Sequence, residues 1–384
     1  MAEPKVRDTA HALLVFADII DSSKFSSVLG FEDYARRVIE FQQLFRSLGN
    51  RYFPRPEDKT IGFTQIDARG DEGTVFCIEH RLKERADLVF RAIEFLYHLK
   101  GRLYFGLDDR KEDTRKLAAP LRMGIGAGIH VGPVAYATEV RENRSEIVRI
   151  EGFSINKAKR VESSSRGGTF SQIILSKEAA RLLDGEPVLF SPITASMKGV
   201  EEHAELHEVR AGLFSGLKLD RNDPADQRLI NRVSDLADHP DQMDEAWVKS
   251  LIVSVLDVLL ESSMVTEHRT KYRKQQLNIA WHSSIEDDPI LLYLRAKDYQ
   301  EQQKSTQRIR YLRQILERHP DFVFAKKRMV QACWKVALQD KERSERVYAR
   351  DVAEEFLNRF SNYLSEDEKH EFAEIVNEAG KKAE

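Results

Sequence analysis

The chain has 384 residues, with 60 Lys and Arg against 63 Asp and Glu, a formal net charge of −3. That near balance excludes a strongly basic nucleic-acid coat and a polybasic membrane-surface protein, and it points to small-molecule or protein partners. The length predicts two domains, and the only cysteines, Cys77 and Cys333, each sit in an apolar run, as expected for a reduced, cytoplasmic compartment.

The N-terminus (MAEPKVRDTA) has no long apolar stretch, and no window approaches about eighteen uninterrupted apolar residues. Secretion and membrane spanning are both disfavoured. Residues 11–20 (HALLVFADII) read as a buried strand ending at Asp18 to Asp21. Tyr34, Val38, Phe41, Leu44, Phe45 and Leu48 recur at helical spacing and predict an amphipathic helix from Phe31 to Leu48. Residues 61–66 and 74–79 read as the strands of a hairpin whose turn segment, Asp67 to Gly73, is rich in Gly and acids. Leu82, Ala86, Val89, Phe90, Ile93 and Leu96 mark a second long helix, followed by a charged loop at 107–117.

Residues 121–134 and 146–150 read as strands around a charged turn. A helix over Asn156 to Glu162 stops in the Ser/Gly cluster at 163–168. Strands are expected at 172–176, 188–194 and 205–210, with a short helix at 177–184 between the first two. Alternating strands and helices over residues 10–210 argue an α/β or α+β domain. Gly, Asp, Asn and Pro cluster at 211–227, and beyond them almost every window reads as helix. The expected domains are therefore 1–213, α+β, and 225–384, an all-α array of helical hairpins resembling tetratricopeptide repeats. Within the second, 320–338 reads as one helix pair.

Two carboxylates stand out. Asp18 ends the first strand and Asp71 lies in the first hairpin, places that a compact sheet can bring together to bind magnesium through hard oxygen ligands. An isolated pair of acids is more often solvated, so its neighbours must decide. His130, among glycine and apolar residues, reads as a packing residue. The GIGAG run lacks the third glycine of a dinucleotide loop, and no Walker loop is present.

Phe16-Ala17-Asp18-Ile19 followed by Ser22, Ser23 and Phe25 resembles the first metal motif of class III adenylate and guanylate cyclases. Gly70-Asp71 resembles their second metal motif, and Gly128 to Val134 (GIHVGPV) their glycine-rich strand. Gly152 to Arg160 (GFSINKAKR) is similar to the family's asparagine/arginine helix, and Lys198-Gly199-Val200 with Glu205 to Val209 to its closing strands. Five motifs stand in the family's order across about two hundred residues; the C-terminal part lies outside the resemblance.

The resemblance implies a ferredoxin-like sheet with flanking helices and a metal-dependent cyclisation of a nucleoside triphosphate, releasing pyrophosphate. Asp18 and Asp71, with Ile19, would form the metal set for two Mg2+ or Mn2+ ions. Asn156 would orient the ribose, and Arg160, one helical turn on, would reach the charge developing at the α-phosphate. Backbone amides through Ser22 and Ser23 would cradle phosphates, with Lys198 pairing the outer ones. Such sites form at subunit interfaces, so a homodimer with two composite sites is expected.

The base-reading positions depart from the adenylate pattern. Where that pattern has Lys and Asp, this chain has Asp67 and Arg149. Asp67 can accept from a ring N–H of guanine or uracil, and Arg149 can donate to a carbonyl of either, so hydrogen-bond inventory leaves both bases open. A phosphate-binding arginine of the family would fall at Gly126, and Arg122, four residues earlier, stands about 13 Å away by strand rise. With the appended helical domain, these departures resemble the pyrimidine (uridylate) cyclases of bacterial antiphage signalling (Pycsar), implying UTP as substrate and cyclic UMP as product. Guanylate or adenylate cyclisation and a catalytically inactive nucleotide sensor are the alternatives, and what the helical domain binds is left open.

Overall fold

The computed structural model describes residues 5–381 except 57–61, 79–81, 106–123, 142–143, 198–200, 241–245, 283–287, 340–342, 360, 362–363 and 365. Strand β1 (Lys5–Ile19) is longer than its apolar run and lies at the centre of a mixed sheet. Its two faces explain that run. Leu13, Val15, Ala17 and Ile19 enter one core and Ala12, Leu14 and Phe16 another, so no position in the stretch is free to be polar. The sheet order is β2 (Phe63–Arg69), β3 (Glu72–Ile78), β1, β4 (Ile125–Arg141), β6 (Ile173–Ser176), β8 (Glu201–Gly212), β7 (Val188–Met197), with β5 (Arg144–Glu151) paired to β4. Among the described residues only β4 and β6 pair in parallel. The expected α+β class is thus observed.

After β1 come α1 (Ser22–Leu29) and α2 (Phe31–Tyr52). Phe41, Phe45 and Leu48 of α2 and Val89, Ile93 and Leu96 of α3 (Leu82–Phe105) bury their apolar stripes on one sheet face. On the other face lies α4 (Phe153–Ser163), with Ala158 in the smaller core. Gly128 permits that docking, because a Cβ there would stand 2.2 Å from the amide nitrogen of Glu162. A short helical turn, Ser164–Gly167, follows α4, and α5 (Lys177–Ala180) follows β6.

Two boundaries differ from the sequence reading. The β2–β3 turn is only Gly70-Asp71, with Gly70 at φ 57°, so Asp67 to Arg69 belong to β2. Strand β4 runs on to Arg141 through residues that read as a charged turn, because pairing with β5 satisfies its backbone. The charged loop at 107–117 lies outside the described residues.

The C-terminal half is helical: α6 (Pro224–Asp238), α7 (Ala246–Ser262), α8 (Thr266–His282), α9 (Pro289–Glu301), α10 (Ser305–Arg318), α11 (Val323–Gln339), α12 (Arg343–Arg359) and α13 (Glu366–Lys381). Asp223 and Asp288 cap α6 and α9, each before a proline at the first helical position. Each helix packs on the next in chain order, as helical hairpins do. Residues 323–339 form one helix, not a pair, because no breaker interrupts the apolar periodicity after Pro320; α11 packs against α10 before it and α12 after it. No described helix is long and apolar enough to cross a membrane.

The two halves share a core. Trp247 of α7 meets Tyr104 of α3 at 5.0 Å between ring centroids, with the Lys100 ammonium 4.6 Å from the indole. Asp226, fully buried in the first turn of α6, receives Arg51 Nη1 at 2.7 Å, His98 Nε2 at 2.6 Å, Arg102 Nε at 2.6 Å and the Asp220 amide at 2.8 Å. Nearby, buried Glu94 of α3 accepts the Gly216 amide at 2.7 Å, and burial pushes its carboxyl up to about 7.

Glu94 gives a pH prediction. A carboxyl raised in the folded state stabilises below its unfolded value of 4.5, and the folded state loses that advantage as pH rises through about 7. Glu94→Gln should therefore flatten the fall in unfolding free energy between about pH 5 and 8 seen in urea titrations. A variant that follows the wild-type pH curve would exclude Glu94 as the source.

Candidate active site

The hairpin turn is fastened to the end of β1 by a hydrogen bond from the Ile19 amide to the Asp71 carbonyl, 3.1 Å. Asp18 pairs with Glu72 on one side and with Gly126 on the other. Its side chain follows Leu14 and Phe16 onto the α4 face by strand alternation. Asp18 is pushed up to about 6, first by burial, then by the Asp71 carboxylate and then by Glu162, against the opposing pull of Lys159 and Arg166. The two predicted acids are thus close enough to repel each other.

That donor set fits a hard divalent cation, which would relieve the carboxylate repulsion. Among the described residues, no group of three or more His, Cys, Asp or Glu could hold a metal by itself. Two acids leave coordination positions for water and phosphate oxygens, as magnesium sites do. Helix α1 begins four residues beyond Asp18; its N-cap is Asp21, whose side chain makes no capping hydrogen bond, and its first turn contains no acid. The backbone amides at Ser22 and Ser23 lie at the positive end of this helix.

Asn156 and Arg160 lie one turn apart on α4, both exposed, while Ser154, Ala158, Val161 and Glu162 form its buried side. Within one chain they are turned to solvent, and neither is among the groups that shift Asp18. Asp67 is held locally: Arg69 Nε is 2.8 Å from Oδ2, the Ala68 amide donates to Oδ1 at 2.9 Å, and Arg46 Nη2 stands at 3.9 Å. Arg149 is exposed and pairs with Glu151 at 2.7 Å. The strands carrying them flank one cleft of about 450 Å3, where Val148 of β5 faces Thr64 and Ile66 of β2. Lys198 and Arg122 lie outside the described residues.

His130 is a packed, neutral imidazole: Nδ1 is 2.8 Å from the Ser176 hydroxyl, and burial brings the ring down to about 4. The sequence reading missed the charges that surround Asp18. Lys159 pairs with Glu72 and with buried Glu162, the latter at 3.1 Å, and its ammonium lies 5.5 Å from the Phe16 ring centroid. Arg166 Nη2 is 3.5 Å from Asp18 Oδ2. The spacing of Lys159 and Glu162 showed a pair on one helix face, but not that the face would close over Asp18.

A cleft of about 1010 Å3 opens among α7, α8 and α9 beside Trp281 and is lined by none of the predicted site residues. No protein-family profile matches this chain, and no curated protein matches it. Solved structures do. The adenylyl cyclase CyaB from P. aeruginosa is 18% identical, with 53% of this chain and 94% of that one covered and a TM-score of 0.39. The guanylyl cyclase Cya2 is 18% identical, with 54% and 95% covered and a TM-score of 0.38. The catalytic core of a rhodopsin-guanylyl cyclase with converted specificity, in complex with ATPalphaS, is 17% identical, with 55% and 100% covered and a TM-score of 0.36. The structural neighbours are therefore catalytic domains of adenylyl and guanylyl cyclases.

Proposed function

We propose that this chain is a nucleotidyl cyclase that converts UTP to cyclic UMP and pyrophosphate, acting as a homodimer with composite sites. The observation that carries the reading is the Asp18–Asp71 pair, with Asp71 helping to push the half-buried Asp18 up, beside the N-terminal turn of α1. Cyclisation joins ribose O3′ to the α-phosphorus and breaks that phosphorus–oxygen bond to pyrophosphate, while the hydroxyl proton passes to solvent. Bound magnesium or manganese supplies Lewis acidity and charge neutralisation. Asp18 and Asp71 would hold it, and the amides of Ile19 to Ser23 would seat the triphosphate. From the second chain, Asn156 would fix the ribose and Arg160 would meet the charge that grows on the α-phosphate.

The base preference rests on Asp67 and Arg149. Asp67, flanked by Arg46 and Arg69, can serve as an acceptor for the uracil N3–H, and Arg149 can donate to a uracil carbonyl. Residues 225–384 would form a regulatory unit, and a pyrimidine product suits antiphage signalling. Incubating the full chain with each of the four nucleoside triphosphates and manganese, then resolving products by mass, tests the reading. Cyclic UMP is the expected dominant product. Cyclic GMP or cyclic AMP in its place would overturn the base assignment, and nucleotide binding without any cyclic product would instead support a sensor.

A further inference from the structure

Beside the carboxylate pair stands a cation that the reading above does not use. Arg166, on the turn Ser164–Gly167 after α4, is 67% exposed along its side chain, yet its Nη2 lies 3.5 Å from Asp18 Oδ2. A long exposed arginine in an ordinary surface ion pair contributes little, and such pairs are common. The residue before it is different. Ser165 is 1% exposed, and its Oγ has no hydrogen-bond partner among the described residues. Leaving a buried hydroxyl without a partner is costly, and such an orphan next to Arg166 is suited to meet a ligand oxygen once that turn adjusts to one.

The turn also fills space that the sheet leaves open. A Cβ at Gly126, the β4 neighbour of Asp18, would lie 2.1 Å from Ser165 Oγ. No side chain at 126 can therefore extend toward the carboxylates, whereas the turn brings a cation, Arg166, to that flank. Lys159 does not qualify, because Glu72 and Glu162 already hold it. Arg166 keeps its remaining N–H donors facing solvent above Asp18.

We infer that Arg166 binds the phosphate chain of the nucleoside triphosphate, with Ser165 beneath it, in the same chain that supplies Asp18 and Asp71. This rests on the cyclase reading. When the carboxylates hold a metal–triphosphate, the guanidinium forms charge-assisted hydrogen bonds to the outer phosphate oxygens, a bidentate geometry that a lysine cannot reproduce.

The test measures binding without turnover, using the full chain, manganese and 3′-deoxy-UTP, or the 3′-deoxy triphosphate of whichever base the product assay selects. Arg166→Ala should weaken that ligand by about 10- to 100-fold, the loss of one charged hydrogen-bonding group, while binding of the corresponding nucleoside is unchanged. Arg166→Lys should recover part of the loss. With active wild-type enzyme, KM should rise more than kcat falls. Equal triphosphate affinity in Arg166→Ala and wild type would overturn the inference alone, as would parallel losses of nucleoside and triphosphate binding. Wild-type protein that binds none of the triphosphates would overturn the cyclase reading and this inference with it.

Discussion

Asp71→Ala chains and Arg160→Ala chains, each inactive alone, should regain cyclase activity when mixed. Asp71 meets Asp18 within one chain, while Asn156 and Arg160 face outward from the same chain. If sites form between chains, a mixed dimer contains one site with both lesions and one with neither. Random pairing of equal amounts gives mixed dimers for half the population, with one working site in two, so about a quarter of the wild-type rate is expected. Each variant alone should fall by roughly a thousandfold, since removing a metal carboxylate or a transition-state donor costs about 4 kcal/mol. Cyclic product is the readout, with native mass spectrometry to confirm mixed dimers. Mixed dimers without recovered activity would rule out shared sites.

Part of this arrangement is legible in the sequence. The run from Ala12 to Ile19 had to be a strand buried on both faces, and Asp18 and Asp71 stood at elements' ends, where a sheet brings carboxylates together. The α2 and α3 stripes were equally plain. Less legible was whatever depends on docking between elements. Glu162 and Arg166 reach Asp18 only because α4 sits directly on Gly128, and nothing local in GFSINKAKR distinguishes Lys159, turned inward, from Arg160, turned outward. Strand β4 outran its apolar core because pairing with β5 supplies hydrogen bonds that hydrophobic patterning does not reveal. The same holds for Asp226, which reads as one more acid in a polar linker. Its partners Arg51, His98 and Arg102 lie more than a hundred residues upstream, so its burial is a property of the assembled fold.

Asp226→Ala is therefore expected to be the most destabilising single change outside the apolar core. Burial alone would raise this carboxyl, but hydrogen bonds from His98 and Arg102 outweigh it and hold the group far below the usual carboxylate range. Tyr52 accepts the Lys218 amide at 2.8 Å and donates toward His98 Nδ1 at 3.0 Å, which leaves Nε2–H to donate to Asp226 and assigns a neutral imidazole. Removing the acid takes one of two carboxylates from the almost fully buried Arg102 guanidinium and from Arg51, leaving Asp223, a quarter exposed, as the acid both still pair with. Breaking a buried pair by deleting one partner costs about 3–5 kcal/mol, a large share of the stability of an ordinary domain. Urea unfolding should show that loss, and combining Asp226→Ala with Arg102→Ala should cost less than the two separate losses together, because the second deletion removes a buried charge that has already lost one of its two carboxylates. The wild type should also lose this contribution in acid, as pH falls below the unfolded value of 3.8, since a depressed carboxyl stabilises only while ionised. A cost below about 1 kcal/mol, or strict additivity of the two losses, would show that the network does not hold α6 to α2 and α3.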